Sequence, residues 1–534
     1  MSFNLVTEPW IPVLYQDGST ADVSLASCFT DAASIARIGG DLPTQSFAIL
    51  RVLLAICHDA IGFHSQRAVR HVVSHRLDTT PLVTYVSDYA DRFDLFHPTR
   101  PFMQVATLRT VNDTAAGLEK LISDVPNGAP FLTMRRGRGL QHITAAEAAR
   151  WLIHAHAFDP AGIRSAAVGD PHTKGGKGYP IGPGWVGQIG GIIVHGQSLA
   201  ETLAYNIVPT PDDPSDRPVW AQDNPQTEQR QIEPHVAGPV ALLVWQSRRI
   251  RLIGDARGVT GVVLSQGDRM TPQNRHDLEG MTAWRYSKPQ TKKFGIPVYM
   301  PLKHDPAKDG WRGFPAIVST HPGQEDGQDR TRRPASVSNL ADISVDLELD
   351  LDATVGLEMV GMDYGPQEAT IAELYHDRLD VRIGLIGARA AELHTLIQDA
   401  IRLADECVWE LGRMAAHVAR AAGDFDGVEG AQERVRTEAW SALDHDARAW
   451  LADLRADSDT TAIKAAWQHI IRRAIETGAD RVARTASSAA DRGRATKYGF
   501  MTTAKAEVLL RSALRNKLPL AYQPQNTTEE STDD

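Results

Sequence analysis

The feature that most constrains this chain begins near Arg389. Leu393, Ile397, Ile401, Ala404, Val408, Leu411, Ala415 and Val418 step by three and four, the period of one face of an α-helix. The stripe continues for about 33 residues, on the order of 50 Å, and Gly423 ends it. A stripe of that length has to be covered, and the residues that follow supply the cover. Glu429 to Leu454, with Trp440, Leu443, Trp450 and Leu451, reads as a second amphipathic helix, Thr460 to Thr477 as a third and Thr503 to Arg515 as the last. Their linkers are short except before the last, which predicts an antiparallel four-helix bundle. Glu406, Glu410 and His417 are scattered without the Glu-x-x-His pairs of a di-metal bundle, so no catalytic centre is expected there.

A chain of 534 residues is too long for one core. The expectation is an α+β protein, with a large mixed N-terminal domain over 1–386, the bundle over 387–520 and a polar, disordered tail over 521–534. No charged-then-apolar leader and no apolar run long enough to cross a bilayer are read, which points to the cytoplasm and away from membranes. Cys28, Cys57 and Cys407 stand apart; they are expected to be buried thiols, with no disulfide framework, metal site or cofactor. The net charge of −10 argues against a protein that coats nucleic acid with its whole surface, while local basic patches stay open.

In the N-terminal domain, Phe3 to Val13 reads as a short strand interrupted by Pro9 and Pro12. Asp41-Leu42-Pro43-Thr44 reads as the entry to a buried helix carrying Phe47, Leu50, Leu53, Leu54 and Ile61. His58-Asp59 on that helix, with His376-Asp377, has the look of a metal-dependent nuclease or phosphohydrolase. Further ligands at related spacings are missing, so a buried structural histidine is preferred. Phe93 to Gln104 packs aromatics around prolines, as a loop docked on a core does. Ala145 to Ala157 and Leu199 to Ile207 read as helices, and Pro209 to Pro239 as a long excursion. Val240 to Trp245, Ile250 to Ile253 and Val259 to Leu264 read as a three-stranded meander. Pro322 to Ser338 reads as a mobile polar loop and Ile343 to Leu357 as a strand pair. The stretch from Gly361 to Glu368 is expected at a hairpin tip, with a strand near Leu379 to Leu385.

Three acid-free windows stand out in an otherwise acidic chain. Lys174 to Gly191 (KGGKGYPIGPGWVGQIGG) lies within one; it is neither a P-loop nor a dinucleotide-binding loop, which leaves a backbone nest for a polyanion or a surface connection. The second runs from Asp124 to Glu147 and holds Arg135, Arg136 and Arg138 beside Gly137 and Gly139. It suits phosphate oxygens, with a solvated basic loop as the alternative. The third, from Glu279 to Asp305, interleaves Arg285, Lys288, Lys292, Lys293 and Lys303 with Trp284, Tyr286, Phe294 and Tyr299, a pattern that favours nucleic acid.

FNLVTEPWIPV at the start, DLPTQSFAILRVLLAICHD, FDLFHPTRPFMQ, the glycine-rich stretch before a short helix and AWSALDHDARAWLADL in the bundle occur in this order. Together they resemble the CasA family, large subunits of the type I-E CRISPR surveillance complex Cascade, over nearly the whole chain. The resemblance implies a non-enzymatic subunit that reads the motif beside the target, the PAM, in double-stranded DNA from the minor groove. It also implies help in opening the duplex and recruitment of the helicase-nuclease. The implied partners are the target DNA and the guide-RNA complex, with its backbone, small and 5′-handle-binding subunits. Residue by residue, it places a glycine loop at Gly187, Gly190 and Gly191 and a lysine finger at Lys292 or Lys293, with Lys288 behind. A wedge falls at Gln367 and Glu368, where an acidic residue departs from the pattern, and a guide-end loop spans Phe131 to Arg138, with Arg135 and Arg136. The cysteine zinc site of some relatives is absent.

Overall fold

The computed structural model describes residues 2–523, apart from 126–132, 134, 136, 223–226, 233, 321–322, 326 and 388–389. The chain separates into two compact units, one running to Leu379 and one from Asp380 onward, and Ser319, Thr320 and Leu351–Ala353 belong to the second.

In the first unit the helix Pro43–Ile61 is buried on almost every face. Pro43 suits its first turn, and Gly62, at φ 76°, closes it in the left-handed conformation. By length and composition this helix is apolar enough to cross a membrane, contrary to the sequence reading, and 78% of its apolar stretch is buried inside the protein. Arg51 in its middle makes two hydrogen bonds to the Glu279 carboxylate, at 3.0 and 2.8 Å, and Trp185 Nε1 donates to the same carboxylate at 2.9 Å. Removing one side of a buried, hydrogen-bonded pair costs about 3–5 kcal/mol. This clamp fixes the root of the third acid-free window to the core.

Two three-stranded sheets carry the segments of interest. The first has the order Ile371–Arg382, Thr354–Tyr364, Gly191–His195, with Gly191 opposite Val360 and His195 opposite Gly356. The second has Trp284–Tyr286 at its centre, between Tyr299–Pro301 and Thr331–Arg332. The sheets are joined where Gly191 bridges Thr282 and the Ile192 N–H donates to Met281 O at 2.8 Å.

Several local expectations are corrected. Residues 240–245 are not a strand: Pro239–Leu243 is helical, because the remote Asp216 carboxylate accepts the N–H groups of Val240 and Ala241 at 3.1 and 2.8 Å. The meander is therefore a single hairpin, Arg248–Asp255 with Gly258–Gln266. The polar stretch after residue 322 is largely ordered. Thr331–Arg332 pairs with Trp284 and Arg285, the Arg332 guanidinium lies 4.1 Å from the Tyr299 ring centre, and Ala335–Asp346 is a helix where a strand was expected to begin. Val337, Leu340, Ala341, Ser344 and Ile343 form its buried side, a helical spacing that reads as alternation over a short window. The first strand is Ile11–Tyr15, starting later than expected, and the strand expected near Leu379 to Leu385 is the end of Ile371–Arg382.

In the second unit Ala391–Ala422 is one continuous helix ended by Gly423 at φ 91°. It packs against Val428–Asp453, Thr460–Arg484 and Thr503–Lys517. Trp467 donates to Ala400 O at 2.8 Å and lies 4.6 Å from Trp450, which ties three of the helices together. The longer connection before the last helix holds the hairpin Arg494–Thr496 with Gly499–Met501. Cys28, Cys57 and Cys407 are free and buried, as expected. Most of the anticipated tail, 524–534, lies outside the described residues.

Candidate nucleic-acid interface

Residues 187–191 enter the first sheet at the end from which its hairpin projects. None of Gly187, Gly190 and Gly191 has a positive φ, and all three are buried. What each site requires is the absence of a side chain. A Cβ at Gly187 would lie 2.1 Å from Tyr364 Oη, at Gly190 2.3 Å from Leu302 O, and at Gly191 2.3 Å from the Phe47 ring. Tyr364 is itself fixed by donating to Phe158 O at 2.7 Å, and His304 hydrogen-bonds Gly191 O at 3.0 Å. Burial lowers the His304 pKa to about 4, against that hydrogen bond, so the ring is neutral near pH 7. In this structure the three glycines form a close-packed joint between the two sheets. The open part of the glycine-rich stretch is Lys174–Lys177, where Gly175 and Gly176 take φ of 58° and 71° with nothing within 4 Å of an added Cβ.

The lysines sit on Lys288–Phe294, a short helix that connects Trp284–Tyr286 to Tyr299–Pro301. Lys288 pairs with Glu325 at 3.0 Å, an acid from outside the window, so it is braced by protein. Lys292 and Lys293 are exposed in the last turn, where cations are favoured by the helix dipole.

The expected wedge residues occupy the tip between Thr354–Tyr364 and Ile371–Arg382. Gln367 and Glu368 are exposed, and both hold left-handed backbone, at φ 59° and 55°. Two consecutive non-glycine residues in that region are uncommon, and each costs about 1 kcal/mol. The turn is closed by Gly365 N–H to Thr370 O at 2.8 Å and Glu368 N–H to Gly365 O at 2.9 Å. Glu368 faces Lys303 at 3.7 Å, so the acid that departs from the resemblance's pattern has a cation beside it. Sequence reasoning missed what stiffens the arm: Glu358 accepts hydrogen bonds from His195 at 2.5 Å and His376 at 2.9 Å, linking all three strands. Burial pushes the Glu358 carboxyl up, yet these two hydrogen bonds outweigh it and bring its pKa down to about 2. Strand pairing by sequence would have been needed to find it.

In the expected guide-end loop, Phe131 and Arg136 lie outside the described residues, as does the side chain of Arg138. Arg135 is paired with Asp124 and Glu147, so the acids flanking the window take up this guanidinium and it is not free for phosphate.

The metal-dependent nuclease reading gains no support. His58 is buried edge-on to Phe63, 5.6 Å between ring centres, and burial lowers its pKa to about 4. Asp59 is held by Arg217 at 3.0 and 2.8 Å and by the Tyr85 hydroxyl at 2.5 Å. Asp377 accepts the Gly310 N–H at 2.6 Å, and His376 serves Glu358. Among the described residues no group of three or more His, Cys, Asp or Glu is placed to hold a metal ion.

Residues 4–477 match the family model described as CRISPR-associated protein Cse1. The CasA/Cse1 protein of Thermus thermophilus is 27% identical over 433 residues, 78% of each chain. The crystal structure of Thermobifida fusca Cse1 is 39% identical with a TM-score of 0.89, covering 97% of this chain and 99% of that one. A chain of a CRISPR RNA-guided surveillance complex, 18% identical, shares the fold with a TM-score of 0.74 over 96% and 99% of the two chains.

Proposed function

The chain belongs to the CRISPR-associated Cse1 family, and from that premise we propose that it is the large, non-catalytic subunit of a guide-RNA-directed surveillance complex. In this reading it senses the PAM in double-stranded DNA from the minor groove, helps open the duplex beside it and recruits the helicase-nuclease. The observation that carries the proposal is the strained, exposed pair Gln367–Glu368 on a hairpin whose sheet is joined, through the buried glycines, to the sheet that bears Lys292 and Lys293. A folded chain holds two non-glycine residues in a costly conformation where their side chains have work to do.

The two exposed features divide the task. Lys292 and Lys293 supply positive charge to phosphates or to the acceptors on the groove floor, where readout is degenerate and several PAM sequences are admitted. Gln367 and Glu368 press on the first base step. Unstacking it costs a few kcal/mol, which base pairing with the guide then offsets. Gly187, Gly190 and Gly191 act in this scheme by setting the distance between arm and lysines. The guide-RNA complex, the target duplex and the helicase-nuclease are the proposed partners, and the cytoplasm the proposed location.

The test is binding of target duplexes with varied flanking sequence to a reconstituted guide-RNA complex with and without this protein. Addition of the protein is expected to create flank-dependent binding that the Lys292→Ala/Lys293→Ala double change removes. Equal binding with and without it refutes the proposal.

A further inference from the structure

Beyond the lysines, we infer that Phe294 and Ile296 form an apolar contact with the same duplex, lying against the sugar walls of the groove while Lys292 and Lys293 meet the phosphates. The inference rests on the reading of this chain as a DNA-sensing subunit.

Phe294 and Ile296 are 50% and 57% exposed, and the connection that carries them is built rather than frayed. Gly295, at φ 71°, ends the helix by donating to Thr291 O at 2.8 Å. The Thr291 hydroxyl accepts the Val298 N–H at 3.0 Å, Ser287 donates to Val298 O at 2.9 Å, and Asn274 Nδ2 donates to Pro297 O at 2.9 Å. Hydrogen bonds thus pin the chain on both sides of two large apolar side chains that the fold leaves in water. The half of Phe294 and Ile296 that stays in water gains nothing for folding, since apolar area stabilises only when it leaves water.

Charge selects the occupant. The pair sits within a window without acidic residues from 280 to 304, directly after Lys292 and Lys293, and Lys293 Nζ lies 5.3 Å from the Phe294 ring centre. The complementary surface is anionic with an apolar strip, and duplex DNA has that composition, with phosphates lining a groove walled by deoxyribose. Minor-groove proteins press apolar side chains into it beside their cations. The two kinds of contact respond differently to salt. Phosphate contacts weaken as counterions accumulate, by a slope of about 0.9 per phosphate, whereas burial of apolar area does not.

The experiment measures duplex affinity of the reconstituted complex across a salt series for Phe294→Ser/Ile296→Ser, for Phe294→Leu and for Lys292→Ala/Lys293→Ala, with thermal unfolding of each protein alongside. The serine pair is expected to bind roughly tenfold more weakly at every salt concentration, the scale of burying two half-exposed apolar side chains, with the salt slope unchanged. Phe294→Leu should retain most of the affinity. The lysine pair should reduce the slope by about 1.8. Unaltered affinity of the serine pair, beside a lysine pair that still loses binding, overturns this inference and leaves the DNA-sensing reading standing. Failure of the serine pair to enter the complex assigns the tip to a protein subunit and also overturns it. If neither pair alters flank-dependent binding, the DNA-sensing reading falls and the inference with it.

Discussion

Gly190 and Gln367 belong to segments that meet at one end of the same sheet, and they invert the usual allocation of residues. Glycine is the residue for positive φ, yet Gly187, Gly190 and Gly191 have no positive φ, while Gln367 and Glu368 do. At the joint the missing Cβ matters, because protein atoms already occupy its place. At the tip two side chains sit on backbone whose cost glycine would remove. The buried end of the glycine-rich stretch thus marks close packing, while the left-handed residues of the hairpin turn are Gln367 and Glu368 rather than the neighbouring Gly365. The structural half of the pair should be sensitive to any added atom, and the exposed half should be insensitive in stability and sensitive in function.

The largest effect is expected at the joint. Gly190→Ala places a methyl group against the Leu302 carbonyl and beside His304, backbone that cannot move without disturbing the second sheet. Overpacking of this kind costs about 3 kcal/mol, and the isolated protein should melt several degrees lower. An unchanged melting temperature would show that the joint is looser than its geometry and would favour a direct role for these glycines on DNA.

A smaller effect sharpens the same contrast through pH. Burial lowers the pKa of His58 and His304 to about 4 and of His154 and His156 to about 3. These rings stay neutral in the folded unit, whereas in the unfolded chain they take up protons below about 6.5. The unfolded state therefore binds more protons in acid, so stability is full above about pH 6.5 and declines as pH falls toward 4. His304 holds Gly191 O, and His304→Gln should make this decline shallower. The check is the urea midpoint at pH 7 and pH 5 for both proteins; equal shifts would remove His304 from the joint's acid response.

The bundle was the most legible part of the chain. Its apolar stripe is local in sequence, and Ala391–Ala422 follows it to the terminating Gly423. The mixed unit was legible where helices carry their own entry signals, as at Pro43–Ile61 and Ala145–Phe158, the latter capped by its own Thr144. It failed where a distant residue decides the local structure. Asp216 caps Pro239–Leu243 from more than twenty residues away, and Asn339 of the helix Ala335–Asp346 is tied to Ile207 O. The site divides in the same manner. Exposure of the lysines and a turn that includes Gly365 to Glu368 follow from composition, although Gly361 to Tyr364 continue the strand; the burial of Gly187 beneath Tyr364 depends on pairing between strands far apart in sequence.

The most direct measurement is opening of a target duplex beside the PAM by the reconstituted guide-RNA complex carrying Gln367→Gly/Glu368→Gly, followed with a fluorescent base analogue at the first step. Glycine relieves the left-handed strain of about 1 kcal/mol per residue while loosening the unfolded chain, so the melting temperature should be unchanged or slightly raised. Opening should nevertheless be lost or slowed more than tenfold, because the side chains proposed to press on the base step are gone. Full-rate opening by a normally folded double variant would contradict the account, since the strain at the tip would then serve no contact with DNA.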